Sequence, residues 1–171
     1  IINGFDFANA SNQTLIDCII ERASASAGNC TPYRFVNCVN CQLIRCYAFN
    51  NRATGATSDM SGFSFDTCTG CLLRDCIAGN NAAGQTARGY FFNGGTENNI
   101  DHNAAYRNTG TTASVGFTLG AGTNGFLRNI SLRNGVVLAN QFAGFAATQR
   151  NVQNINATNS LTQAWTNVGL I

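Results

Sequence analysis

Lysine is absent from this chain of 171 residues, so all ten of its basic residues are arginine. The absence excludes a catalytic lysine base or a Schiff base, whereas arginine keeps the planar, bidentate recognition of carboxylate or sulfate groups. Charged residues make up only 11 % of the chain, and the formal net charge is +2. A charge this small does not argue for an anionic membrane, and we predict no nucleic-acid partner.

Proline and long apolar runs are also scarce. Pro32 is the single proline, and 44 % of the residues are hydrophobic, which is typical of a folded chain rather than a disordered one. The longest apolar runs cover only a few residues, so we predict no membrane span. No signal peptide precedes the first repeat, and we expect the chain to be a mature or trimmed part of a longer protein.

An aromatic motif recurs along the whole chain and dominates the sequence. Each copy is a glycine or proline followed by phenylalanine or tyrosine. Successive copies are 28, 30, 27, 27 and 28 residues apart, at Gly4, Pro32, Gly62, Gly89, Gly116 and Gly144. A fixed period of about 20 to 50 residues is typical of solenoids and propellers. A propeller blade needs roughly 40 residues or more, and the L-x-x-L-x-L pattern of leucine-rich repeats is missing.

Aligned on these anchors, apolar residues recur at offsets +1, +3, +11 and +16. Apolar residues two apart with polar residues between them have the period of a strand. The +11 column reads Leu15, Leu43, Leu73, Ile100, Leu127 and Ile155, and the +16 column reads Ile20, Ala48, Ala78, Ala105 and Leu132. We therefore predict an all-β parallel β-helix of about six turns over residues 1–160, with two or three short strands per turn and 161–171 as a C-terminal cap or tail.

The chain resembles the right-handed parallel β-helix proteins of the pectin-lyase-like superfamily over all six turns. The segments Phe35–Cys46 (FVNCVNCQLIRC) and Phe65–Cys76 (FDTCTGCLLRDC) carry the resemblance most clearly. These turns are similar to Cys/Asn-rich repeat proteins of large DNA viruses and of bacteria that live inside cells. The resemblance implies a right-handed β-helix and does not specify an activity.

Seven of the eight cysteines fall on repeat positions, and Cys30 is the exception. The Cys-x-x-Cys pairs at Cys38/Cys41 and Cys68/Cys71 have the spacing of zinc ligands. Later turns replace them with glycine or asparagine, however, so we predict interior columns of small thiols and no metal site. Adjacent turns are close enough for disulfides. We nevertheless expect mostly reduced thiols, with Cys30 the most reactive.

Asparagine and charged residues form further columns. Asparagine recurs at offsets +18 and +19, where we predict tight bends and stacked amides, with Asn51 on the outside: Asn50, Asn51, Asn80, Asn81, Asn108 and Asn134. Offset +13 reads Asp17, Arg45, Asp75, His102 and Asn129, and offset +12 includes Arg74, Asp101 and Arg128. The first interpretation is a set of ion-pair columns that fix the register of the turns. The alternative is a ligand-binding strip, with Asp17, Arg45 and Arg74 as the candidates.

A catalytic site is harder to assemble. The Asn-Thr-Asp, Asp-Asp and Gly-His-Gly motifs of polygalacturonase-like enzymes and the Asp-Pro-His motif of alginate-modifying enzymes are missing. The weak catalytic candidates are Asp75, Asp101, His102 and Arg128, with Arg74 as a second arginine. A calcium-dependent lyase would need clustered carboxylates and an arginine base, so calcium enters only with this alternative, and no other cofactor is predicted.

The sequence therefore favours a non-catalytic rigid module for display, adhesion or assembly on a virion or cell surface, with carbohydrate as a candidate ligand. The alternative is a polysaccharide lyase or glycoside hydrolase. Expected partners are a neighbouring protein or further repeats at the N-terminal end, or further copies of the chain in a homo-oligomer.

Overall fold

The computed structural model describes residues 1–120 and 122–134, together with the backbone of 142–143, 150–152, 155–157 and 164–165. In this part of the chain there is no helix, and the strands wind into a parallel β-solenoid of about five turns. The predicted all-β parallel β-helix is confirmed. Among the described residues, no helix has the length and apolar character needed to span a membrane.

The strands, numbered in chain order, form four sheets that run along the solenoid. Sheet A contains β1 (Ile2–Ala8), β5 (Cys30–Val36), β9 (Met60–Asp66), β13 (Thr86–Asn93), β17 (Ala113–Leu119) and β20 (Phe142–Ala143). Sheet B contains β2 (Thr14–Ile16), β6 (Gln42–Ile44), β10 (Leu72–Arg74), β14 (Thr96–Asp101), β18 (Thr123–Leu127) and β21 (Arg150–Val152). Sheet C contains β3 (Ile19–Glu21), β7 (Tyr47–Phe49), β11 (Ile77–Gly79), β15 (Ala104–Tyr106), β19 (Ile130–Leu132), β22 (Ile155–Ala157) and β23 (Ala164–Trp165). Sheet D contains β4 (Ser24–Ala25), β8 (Arg52–Ala53), β12 (Ala82–Ala83) and β16 (Thr109–Gly110).

Two stacks of aromatic rings fill the core behind sheet A. The first joins Phe5, Tyr33, Phe63, Tyr90 and Phe117, with centroid separations of 5.6, 4.7, 4.9 and 4.5 Å. The second joins Phe7, Phe35, Phe65 and Phe92 at 5.1, 4.9 and 5.4 Å. The Tyr33 and Tyr90 hydroxyls donate to the carbonyls of Cys18 and Cys76, each at 2.7 Å, so their polar ends are satisfied inside the tube. The predicted +1 and +3 columns are confirmed over these turns.

The predicted register is wrong from the fifth turn onwards. Ile100 pairs with Phe126 rather than with Leu127, and Phe126 is buried with its ring edge-on to Phe92 at 5.5 Å. The same shift puts the buried Ser131 opposite Ala105, where Leu132 was predicted, and leaves Leu132 exposed.

The cause of this shift is a bend residue that the fifth turn lacks. In four turns one residue with a left-handed backbone lies just before the sheet B strand or, in β14, within it: Asn12, Asn40, Gly70 and Glu97, with φ of 57°, 54°, 66° and 58°. In the fifth turn the strand Thr123–Leu127 runs straight through this position. Because the fifth turn has one residue fewer at this point, each later column lies one residue earlier in the sequence than the repeat predicts.

The sixth turn is displaced further. Phe117 pairs with Phe142, whereas the repeat predicted Phe145, which lies outside the described residues. Ile155 pairs with Ile130 rather than with Leu127. Strand β23 then pairs antiparallel with β22, with Trp165 opposite Ile155, which departs from the parallel pattern. The cap predicted for 161–171 stays a prediction.

Candidate functional site

The candidate charged residues lie together on the edge where sheet B turns into sheet C. This edge, called here the B–C edge, has one left-handed residue per turn, with φ between 51° and 58°: Asp17, Arg45, Asp75, His102 and Arg128. Arg128 takes the place predicted for Asn129, because of the missing bend residue. Four of these side chains are exposed and that of Asp75 is partly exposed, so the column forms a strip on the outside of the solenoid.

Asp17 and Arg45 form a two-pronged ion pair at the start of the strip. Arg45 donates from Nε to Asp17 Oδ1 at 2.6 Å and from Nη2 to Oδ2 at 2.9 Å. The hydrogen bond to Arg45 lowers the pKa of Asp17 and in turn raises the pKa of Arg45. Both side chains remain about half exposed, and exposed pairs of this kind add little stability. Their geometry favours a role in fixing the register of the first two turns.

Asp75 contacts basic side chains from two turns. Its Oδ1 lies 2.8 Å from His102 Nδ1, and its Oδ2 lies 3.8 Å from Arg74 Nε. The His102 side chain is 61 % exposed, so it extends from the edge rather than into a cleft. The contact agrees with the interpretation of His102 as a member of the ion-pair column.

Asp101 and Arg128 form the most enclosed pair. Arg128 donates to Asp101 through Nε at 3.1 Å and Nη2 at 3.0 and 2.7 Å, and the Asp101 side chain is only 12 % exposed. The bond to Asp101 raises the pKa of Arg128. The backbone N–H of Asp75 donates to the Asp101 carbonyl at 3.3 Å, so the two acids lie in adjacent turns. The structure thus brings all four catalytic candidates together, with Asp101 already paired with Arg128 and Asp75 in contact with His102 and Arg74.

Within residues 1–120 and 122–134, no three His, Cys, Asp or Glu side chains are grouped as a metal site would require. The structure has all eight cysteines as free thiols, and their reduced state in the cell stays a prediction. The predicted reactivity of Cys30 is wrong, because Cys30 is fully buried with Met60, Ala25 and Ala53, and burial raises its pKa. Cys18 is the one cysteine of the eight that is partly exposed.

The residue after each left-handed position points inward, where cysteine and asparagine are interchangeable. Asn103 accepts the backbone N–H of Cys76 at 2.9 Å and donates to the Leu73 carbonyl at 3.1 Å. One turn earlier, the Cys76 sulfur accepts the N–H of Cys46 at 3.4 Å and donates to the Leu43 carbonyl at 3.5 Å. A thiol is a weaker donor and acceptor than an amide, but it reaches the same two backbone groups.

The amide column between sheets C and D is the most regular of these columns. Asn51, Asn81, Asn108 and Asn134 are fully buried, which confirms the predicted amide stacking. The prediction that Asn51 lies outside is wrong. Its Oδ1 accepts the N–H of Ala23 at 2.9 Å and its Nδ2 donates to the Ile20 carbonyl at 3.2 Å. The preceding Asn50 is the left-handed residue, with φ of 55°.

Sequence reasoning missed the outer face of sheet C, which is apolar and aromatic. Ile19 is 65 % exposed, and the rings of Tyr47, Phe49 and Tyr106 are partly exposed beside it. The available signal was that offsets +15 and +17, on both sides of the interior +16 column, are also mostly apolar. A strand that is apolar on both faces either packs against another layer of the protein or leaves an apolar surface exposed. Exposed apolar surfaces of this size are typical of interaction sites.

The far side of this face is a second edge, called here the C–D edge. Its left-handed positions are Arg22, Asn50, Asn80, Arg107 and Arg133. At its first two turns lies a shallow cavity of about 420 Å³, lined by Arg22, Ala23, Ser24, Asn50 and Arg52. Guanidinium, hydroxyl and amide groups around one cavity are chemistry suited to an anion.

Comparison with protein-family models, with curated proteins and with solved structures finds no significant match to this chain. The resemblance to the pectin-lyase-like superfamily and to viral and bacterial repeats therefore stays a prediction. The class that the structure itself defines is the parallel β-solenoid.

Proposed function

We propose that this chain is a non-catalytic, rigid β-solenoid module for surface display, adhesion or assembly. The observation that supports it best is the pairing of the charged residues on the B–C edge. Arginines bind Asp17 and Asp101, and Asp75 lies 2.8 Å from His102 Nδ1 and 3.8 Å from Arg74 Nε, so each of these three carboxylates already has a side-chain partner. Glycoside hydrolysis needs two available carboxylates flanking the scissile bond.

Rigidity follows from the interior columns. The aromatic stacks and the buried amide column cross successive turns, so bending the solenoid would break several ring contacts and hydrogen bonds at once. Interiors packed in this way transmit strain rather than deform. A rigid, narrow solenoid of this kind is suited to presenting a binding surface at a fixed distance and orientation from the structure to which it is attached.

The first turn supports a role in assembly. Strands β1 to β4 are the outer strands of their sheets, and the interior side chains Phe5, Phe7, Leu15 and Ile20 are only partly buried there. Their equivalents one turn later, such as Phe35 and Leu43, are fully buried. A further solenoid turn, from preceding residues or from a partner chain, would bury these side chains and pair the open strand edges.

The second candidate is a polysaccharide lyase or hydrolase. The proximity of Asp75, Asp101, His102 and Arg128 in three successive turns favours it, because acidic and basic side chains on one exposed edge can contact a sugar chain. In that case calcium would be the cation of the lyase. Carbohydrate binding without cleavage is compatible with the first proposal.

Incubation with acidic and neutral polysaccharides in the presence of calcium distinguishes the two candidates. We would measure new reducing ends and the ultraviolet absorbance of unsaturated sugars. The proposal expects no turnover on any of these substrates. Cleavage that is lost in Asp101→Asn but kept in Asp6→Asn, which breaks the equivalent pair with Arg34 on sheet A, would establish the enzyme instead.

A further inference from the structure

The outer face of sheet C carries almost no polar side chains. One residue of its ten outward positions in β3, β7, β11, β15 and β19 is charged, namely Glu21: Ile19, Glu21, Tyr47, Phe49, Ile77, Gly79, Ala104, Tyr106, Ile130 and Leu132. Ile19 is 65 % exposed and Leu132 is 37 % exposed, at opposite ends of the strip. The strip therefore runs along all five turns.

The aromatic rings make the middle of this strip continuous. Tyr47 and Phe49 stack at 5.9 Å with an interplanar angle of 11°, and Phe49 meets Tyr106 at 6.0 Å. Gly79 lies between the last two rings, and a Cβ at this position would lie 2.5 Å from Tyr106 Cζ and 2.8 Å from Phe49 Cε1. Glycine thus lets two rings from non-adjacent turns close over the backbone. The result is an unbroken apolar surface rather than isolated exposed residues.

The arginines are distributed unevenly around this strip. Six of the arginines in residues 1–120 and 122–134 form ion pairs: Arg22, Arg34, Arg45, Arg74, Arg88 and Arg128. The other three in that part of the chain are Arg52, Arg107 and Arg133, whose side chains have no acidic partner there. All three lie at or beside the C–D edge. The three arginines without an acidic partner are therefore concentrated along one side of the apolar strip.

We infer that the outer face of sheet C and the C–D edge together form a docking surface for an anionic phospholipid membrane. Aromatic and aliphatic side chains enter the boundary between headgroups and acyl chains, where tyrosine is favoured, and the adjacent arginines bind lipid phosphates and carboxylates. This inference goes beyond the proposed function, because it names the surface to which the rigid module attaches.

The chemistry of the face favours a membrane over a sugar or a nucleic acid. A sugar site needs hydrogen-bonding groups between its aromatic rings, whereas the positions between Tyr47, Phe49 and Tyr106 hold isoleucine, alanine and glycine. The charged groups lie at the margin, where lipid headgroups would meet them. The net charge of +2 alone gives no argument for such a membrane, because it sums paired and unpaired arginines over the whole chain.

Vesicle flotation tests the inference on the whole chain. One set of vesicles contains phosphatidylcholine alone, and the other contains phosphatidylcholine mixed with phosphatidylserine. The wild-type chain should float with the anionic vesicles and lose binding as salt is raised. Replacing Arg107 and Arg133 with glutamine together should weaken partitioning by about tenfold or more, since each arginine near an anionic surface adds its own attraction. Arg34→Gln removes one charge from sheet A and should bind as wild type does, whereas its single counterpart Arg107→Gln should weaken binding.

A second pair of variants tests the apolar part. Ile19→Ser should weaken flotation, whereas Ile16→Ser, at an isoleucine that is 49 % exposed on sheet B, should not. Absence of binding to anionic vesicles would overturn the inference, and so would equal losses in the variants and their controls. Dextran sulfate serves as a soluble polyanion. Binding to it that is sensitive to Arg107→Gln, with vesicle binding insensitive to Ile19→Ser, would assign the surface to a soluble polyanion instead.

Discussion

The amide of Asn81 lies between those of Asn51 and Asn108 in a single buried column. Asn51 Nδ2 donates to Asn81 Oδ1 at 3.1 Å, and Asn81 Nδ2 donates to Asn108 Oδ1 at 2.9 Å. Asn81 also accepts the backbone N–H of Asn51 and donates to the carbonyl of Ala48, each at 3.1 Å. One side chain thus satisfies buried polar groups in the turn before its own and in the turn after it.

Asn81→Ala should therefore destabilise the fold strongly. It leaves buried donors and acceptors unsatisfied on both sides, which we expect to cost about 2 to 4 kcal/mol. Chemical denaturation followed by circular dichroism measures the change. Asn99→Ala, at an exposed position on sheet B, is the matched control and should change stability by less than about 0.5 kcal/mol. Equal effects of the two variants would contradict the buried column.

Phe65→Ala should open a cavity in the second aromatic stack. The ring is 1 % exposed and lies 4.9 Å from Phe35 and 5.4 Å from Phe92, so its loss should cost about 3 to 5 kcal/mol. Phe91→Ala is the control, because that ring faces outward beneath the Arg88 guanidinium and should lose only about 1 kcal/mol. A thermal melt that Phe65→Ala leaves unmoved would contradict the interior register.

Arg45→Gln should raise the pKa of Asp17 towards its ordinary value. The folded-state pKa of Asp17 is lowered mainly by the hydrogen bond from Arg45. The stabilisation is thus present above the pKa of the unfolded chain and is lost as pH falls through the folded value. Titration of the Asp17 carboxyl by NMR between about pH 2 and 6 measures the shift. Arg52→Gln should leave the titration unchanged. An unshifted Asp17 in Arg45→Gln would show that the pair does not form in solution.

Thiol labelling of the native protein should reach Cys18 first. Cys18 is partly exposed, whereas Cys30 is fully buried, and burial is the largest cause that raises the pKa of both. With an aromatic disulfide reagent, Cys18→Ser should remove the earliest labelled equivalent and Cys30→Ser should not. Labelling should also quicken as pH rises, because the thiolate is the reactive form. Early labelling that depends on Cys30 would restore the prediction made from its position outside the repeat.

The repeat predicted the interior of the solenoid well, because a side chain such as Phe63 or Leu73 must face the same core in each turn. It could not reveal the residue missing from the bend opposite Glu97, since a loss of one residue leaves an apolar pattern that looks intact. The repeat therefore predicted Leu127 and Leu132 at the interior positions that Phe126 and Ser131 occupy in the structure. The two-residue strands of sheet D are too short to leave a periodic signal.

The position of Asn51 was misjudged for a different reason. Two successive asparagines suit a tight bend in either order, and the sequence does not show which of them has the left-handed backbone. The structure gives that conformation to Asn50 and so directs Asn51 inward. The charged candidates on the B–C edge were found because their alternating signs repeat at one offset. The C–D edge was missed because only unpaired arginines distinguish it, and pairing is a property of the folded chain.

Amide hydrogen exchange tests most directly whether this chain is one rigid solenoid. The backbone N–H groups of Asn51, Asn81 and Asn108 donate to buried amides in three successive turns. They should exchange with one common free energy, equal to that of global unfolding, while the exposed Glu97 exchanges quickly. Fast or unequal exchange among these three protons would contradict a rigid solenoid and the display or assembly function built on it.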